Sequence, residues 1–126
     1  MLQRSVVITA TWLEIVAGAA LFTAPDVACW LLFAAKPEGI GIILARFAGV
    51  GLLALGIACL PSKATGSHRS ALFGLFVFNV AVAILFAGVG VVTTFHGVLL
   101  WPAVGLHAVI AAALLPQLLA RSEIEA

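Results

Sequence analysis

Charged side chains are scarce in this sequence. Its 126 residues include six Lys or Arg and five Asp or Glu, so 9% of the chain is charged, whereas 64% is hydrophobic. An ordinary soluble domain is about 25% charged and about 45–50% apolar, and a small domain leaves much of its surface in contact with solvent. The composition therefore excludes a soluble fold of this size, and we expect lipid to be the solvent of most of the chain.

Recognisable catalytic and metal-binding motifs are also lacking. The sequence has no Walker loop, no GxSxG, no HExxH and no CxxC. The net charge of +1 provides no field that would attract DNA or RNA. We therefore predict no catalytic residue, no metal site, no cofactor and no nucleic-acid partner, and an enzyme is the less favoured class.

Cysteines number only two, Cys29 and Cys59. The predicted topology places them on opposite membrane faces, which is too far apart for a disulfide. We interpret both as small apolar side chains.

Long apolar runs are what the sequence does contain. They cover residues 5–23, 40–60, 71–92 and 97–119. Each approaches the ~20 residues that cross a hydrocarbon core of ~30 Å, and a helix satisfies its own backbone hydrogen bonds in lipid. We predict an all-α integral membrane four-helix bundle, forming a single domain over residues 1–126. Glu14 interrupts the first run, which we therefore interpret as a retained helix rather than a removable signal peptide.

The connections between the runs suggest how the helices are arranged. Residues 27–35 are apolar, but a nine-residue helix covers only about 13 Å, so this segment is too short to span. With Trp30 in it, it is predicted to be a short interfacial helix between the first and second spans, capping one mouth of the bundle. The turn at residues 93–97 is short, so the third and fourth spans should be antiparallel neighbours.

Lysine and arginine positions predict the orientation. Arg4, Lys63, Arg69 and Arg121 share one side of the predicted topology, and Lys36 stands alone on the other. Positive residues concentrate on the cytoplasmic side of membrane proteins. We expect both termini in the cytoplasm and the protein in a cell inner membrane.

Strongly polar residues within the spans are few, with one in each. They are Glu14, Arg46, Asn79 and His107. At a rise of about 1.5 Å per residue in helices of alternating direction, all four fall in one layer in the outer half of the bilayer. A charge in hydrocarbon is costly, so we expect Glu14 and Arg46 to pair, with Asn79 and His107 extending the network by hydrogen bonds.

Two interpretations of this polar layer remain open. The four residues form either a binding site between the helices or a buried ion pair that only sets helix register. As a site, it would bind or transport a small amphipathic or anionic ligand, since the Arg46 guanidinium is always charged and offers a fork of donors. Other functions are an accessory or scaffold subunit of a larger membrane complex, and a quinone- or lipid-linked membrane enzyme. The expected partners are the bilayer, a small-molecule or lipid ligand, and further copies or subunits.

The second span carries one resemblance. Residues 44–56, LARFAGVGLLALG, with Trp101 and His107 in the fourth span, resemble small bacterial four-helix membrane proteins of the DoxX-like group. That group is associated with membrane redox or quinone-linked complexes, so the resemblance implies a similar setting here.

The first span carries another. Residues 12–18, WLEIVAG, are similar to the first helix of small multidrug transporters, which are four-helix chains with a membrane glutamate. Those transporters do not normally have an arginine such as Arg46 in the second helix. An Arg46 partner for Glu14 would obstruct proton-coupled exchange, so this second resemblance is the less favoured.

Overall fold

Five helices make up the described part of the chain. The computed structural model describes residues 2–60 and 68–122, with side chains described for residues 5–60 and 70–119. Within these ranges no β-strand occurs, which confirms the all-α class. The helices are α1 (Leu2–Thr23), α2 (Pro25–Phe33), α3 (Ile40–Cys59), α4 (His68–Val92) and α5 (Leu100–Ser122). All but α2 are long and apolar enough to cross a membrane.

The helix bounds differ from the predicted ones mainly at two connections. The short helix α2 begins at Pro25 rather than at residue 27, because proline is favoured at the first helical position. The last helix begins at Leu100 rather than at Gly97, since Leu100 N–H donates to the Gly97 carbonyl in a turn (3.1 Å). The connection between α4 and α5 is therefore longer than expected.

Most of the cationic side chains that predict the orientation lie outside the described residues. Lys63 belongs to residues 61–67, which lie outside the described residues, and the side chains of Arg4, Arg69 and Arg121 do as well. The cytoplasmic location of both termini therefore stays a prediction.

The long helices pack as two antiparallel pairs, α1 with α3 and α4 with α5. Glycines let the first pair approach closely. A Cβ on Gly49 would lie 2.7 Å from the Gly18 carbonyl oxygen, and a Cβ on Gly56 would lie 3.1 Å from the Thr11 carbonyl oxygen. Small residues at such contacts allow backbones to touch in lipid. The predicted antiparallel pairing of the last two spans is confirmed.

Packed apolar side chains fill the half of the bundle nearer the start of α1. This core comprises Val7, Ala10, Cys59, Leu72, Leu75, Ile110 and Leu114. Cys59 is buried and free, and its thiol lies 3.4 Å from the Ala71 carbonyl oxygen. All four long helices thus meet in a close-packed core at this end.

Helix α2 caps the opposite end of the bundle through backbone hydrogen bonds. The last carbonyls of a helix lack partners within it, and here the α4–α5 connection supplies them. Gly97 N–H donates to Leu32 O (3.0 Å) and Leu99 N–H donates to Leu31 O (2.9 Å). A Cβ on Gly97 would collide with the backbone of Leu31 and Leu32. Glycine is therefore required where the connection meets the cap.

Candidate ligand-binding site

A cavity of about 350 Å³ lies between the long helices, beneath α2. Leu31 and Leu32 of α2 form its roof, and Glu14 and His107 lie at the far end. These two are the only polar side chains among its lining residues, all of which belong to the described part of the chain. The other lining residues are apolar: Leu13, Ala17, Ala20, Leu21, Ala28, Leu52, Phe78, Val82, Phe86, Leu99, Pro102, Ala103 and Leu106. The cavity is thus an apolar space with one polar end.

Asn79 of α4 connects the two polar lining residues. It is fully buried, and its Nδ2 donates to the Leu75 carbonyl one turn earlier (2.8 Å). The same Nδ2 lies 3.4 Å from Oε1 of Glu14 on α1, which is a long hydrogen bond. Its Oδ1 lies 2.7 Å from Nδ1 of His107 on α5. One amide therefore joins three helices.

The direction of these hydrogen bonds follows from the Leu75 carbonyl. A carbonyl oxygen only accepts, so the Asn79 amide must present its nitrogen to Leu75 and its oxygen to His107. That oxygen also only accepts, so Nδ1 of His107 carries the hydrogen and donates it. In a neutral imidazole protonated on Nδ1, Nε2 is an acceptor. Asn79 thereby fixes the tautomer of a residue that lines the cavity.

Most of the polar end is buried, and His107 is half-buried. Glu14 is 1% exposed, and both Asn79 and Thr11 are 0% exposed. Phe78 and Phe86 stand edge-on to the His107 ring, with centroids 6.1 and 6.3 Å away. Hydrogen bonds are electrostatically stronger in such a low-dielectric interior than in water, and an unpaired polar group there is correspondingly costly.

Arg46 does not join the site, so the predicted Glu14–Arg46 pair is wrong. Arg46 is exposed on the surface of α3, whereas Glu14 is buried. Gly56 packs beside Thr11, one turn from Glu14. Gly49 packs beside Gly18, so Glu14 lies level with a position about seven residues after Arg46, on the order of 10 Å along the helix axis. The two charges therefore lie at different depths as well as on different surfaces.

The other three predicted residues do come together. Glu14, Asn79 and His107 form one hydrogen-bonded chain across α1, α4 and α5. Sequence reasoning missed the aromatic wall: Phe78, Val82 and Phe86 are four residues apart and line the cavity from α4. The spacing of four residues is present in the sequence. However, α4 is apolar on every side, so the sequence does not distinguish this face of the helix from the others.

Comparison of the chain with family models, curated proteins and solved structures gave no match. The resemblances to the DoxX-like group and to small multidrug transporters therefore stay predictions.

Proposed function

We propose that this chain is a multi-pass membrane protein that binds a small amphipathic molecule inside its helix bundle. The observation that carries the proposal is the cavity of about 350 Å³ with apolar walls and with Glu14 and His107 at one end. Small-molecule sites are typically concave, mostly apolar and about 300–1,000 Å³ in volume, with a few placed polar groups. The apolar body of a ligand would occupy the space beneath α2, and its polar end would reach His107.

The proposed setting is a cell inner membrane with both termini in the cytoplasm. Among the described residues, four helices have the length and apolarity for spanning. An even number of spans supports termini on one side, with α2 at the opposite interface, where Trp30 is half-exposed and Trp101 lies at the start of α5. Tryptophan is enriched at membrane interfaces.

The polar end of the ligand is proposed to be a hydrogen-bond donor, such as a hydroxyl or an amine. Two polar side chains line this end: Glu14, which is 1% exposed, and His107, which is half-buried and whose Nε2 accepts when Nδ1 donates to Asn79. Within the described residues, no lysine or arginine lines the cavity. The anionic ligand that was predicted from Arg46 is therefore no longer proposed. The amphipathic ligand is, because the cavity has apolar walls and one polar end.

Binding is proposed rather than transport, because binding is the step that the cavity supports. The position of Arg46 also weakens the argument against the transporter resemblance, since Arg46 was expected to pair with Glu14 and does not.

Three probes with one apolar body would test the proposal. We expect 1-adamantanol and 1-adamantylamine to raise the unfolding temperature of the purified protein in detergent more than 1-adamantanecarboxylate does. His107→Ala removes the acceptor and should abolish this preference, while Thr94→Ala, in the exposed α4–α5 connection, should retain it. If the carboxylate stabilises most, or if His107→Ala keeps the wild-type order, the proposed chemistry of the polar end is wrong. No stabilisation by any of the three would count against the cavity itself as a binding site.

A further inference from the structure

Arg46 presents a full positive charge on an otherwise apolar surface. The neighbouring positions on that side of α3 are exposed and apolar: Ile42, Ile43, Phe47 and Val50. Within the described part of the chain, no ion pair or hydrogen bond reaches its guanidinium. The partner of this charge must therefore come from outside the described residues.

The depth of Arg46 limits what that partner can be. A guanidinium stays charged in proteins, and long basic side chains near helix ends extend towards the headgroups rather than remain in hydrocarbon. Helix α3 begins at Ile40, so Arg46 lies about 9 Å along the axis from that end. The phosphate layer of the nearer leaflet is within reach of a side chain that extends in that direction.

We propose that Arg46 binds the phosphate of a phospholipid in the leaflet at which α3 begins. The planar fork of a guanidinium matches phosphate oxygens with two parallel hydrogen bonds. The acyl chains of the same lipid would lie along Phe47 and Val50, which are exposed beside the charge and on its side away from the helix start. This lipid site is on the outside of the bundle and is separate from the cavity.

Charge complementarity favours a phosphate over a second copy of the chain. Of the described acidic residues, Glu14 is buried, and Asp26 and Glu38 lie outside the long helices. No described carboxylate is thus exposed on a span at the depth of Arg46. A symmetric contact through α3 would also bring one Arg46 against another, which is repulsive.

Thermal unfolding in maltoside micelles tests the proposal. Added phosphatidylglycerol should raise the unfolding temperature progressively with concentration, and a galactolipid with the same acyl chains but no phosphate should raise it much less. Arg46→Leu should remove the difference between the two lipids. Lys36→Leu is the matched control, because Lys36 is an exposed cation on the same side of the molecule but outside the helices, and it should keep the difference.

Several results would overturn the proposal. These are an undiminished phosphate preference in Arg46→Leu, an equal loss in Lys36→Leu, the full effect from inorganic phosphate alone, and a dimer that dissociates in Arg46→Leu. The last would assign this surface to a second copy. If Arg46→Leu fails to fold, Arg46→Lys keeps a point charge without the fork, and it should show a reduced preference.

Discussion

At the scale of single residues, Asn79 has more partners than any other polar side chain in the site. Its amide donates within α4 and towards Glu14, and it accepts from His107. Removing one partner of a buried polar group leaves the others unpaired, and that desolvation costs more than the lost hydrogen bond itself. The network is therefore sensitive to Asn79 in a way that its apolar surroundings are not.

Asn79→Ala should lower the free energy of unfolding by about 1–3 kcal/mol, because Glu14 and His107 each lose a buried partner. Reversible unfolding in detergent measures this loss. Gln117→Ala is the control: Gln117 also carries an amide, but it is only partly buried and its Nε2 bonds only to the Ala113 carbonyl of its own helix (3.2 Å). A loss in Gln117→Ala as large as that in Asn79→Ala would mean that the bridge between helices contributes nothing.

At the scale of helices, the glycines of α1 and α3 decide how the first pair packs. Gly18 and Gly49 face each other so closely that either Cβ would lie 2.7 Å from the carbonyl oxygen of the other residue. Backbone atoms cannot move aside as a flexible side chain can, so the helices must separate to admit a methyl group. This contact also sets the rotation of α3, and with it the outward direction of Arg46.

Gly49→Ala should destabilise the protein by about 1–3 kcal/mol, which is typical of overpacking. Gly51→Ala is a matched control two residues further along α3, where a Cβ would meet nothing within 4 Å. Helix propensity slightly favours alanine at both positions, so only the contact with α1 distinguishes the two variants. Equal unfolding temperatures for Gly49→Ala and Gly51→Ala would contradict the close packing of α1 and α3.

At the scale of the whole molecule, the two free cysteines lie at opposite ends of the bundle, so their labelling tests the proposed topology. Cys29 lies in α2, and Cys59 is buried at the last residue of α3, at the opposite end of the bundle. Burial, with a smaller contribution from the nearby Asp26 carboxylate, raises the pKa of the Cys29 thiol. Less of it is thiolate at neutral pH, so its labelling should accelerate as the pH rises.

A membrane-impermeant maleimide applied to intact cells at mildly alkaline pH should label Cys29 and leave Cys59 unmodified. Cys29→Ser should then show no labelling, and Cys59→Ser should label as the wild type does. Modification of Cys29 only after the cells are lysed would reverse the proposed orientation, with the termini outside.

The sequence was sufficient for the helices but only partly for the site. Long apolar runs and the proline and glycine between them locate the spans to within a few residues, because each signal is local. Position along a helix brought Glu14, Asn79 and His107 to a shared depth. Rotation about a helix axis and the register between helices depend on contacts such as Gly18 with Gly49. In a uniformly apolar helix, no hydrophobic face indicates the rotation or the register. Arg46 was therefore predicted to face Glu14, although it lies on the outer surface.

The hydrogen bonds from Gly97 and Leu99 to the end of α2 have a consequence for biosynthesis. The two carbonyls that accept them belong to Leu31 and Leu32. After these residues are synthesised, their carbonyls lack the Gly97 and Leu99 donors until the ribosome has added more than half of the chain. The roof over the cavity can close only after the α4–α5 connection has left the ribosome and reached the same side of the membrane. The cavity is therefore completed late in assembly, after α1 to α4 have been synthesised.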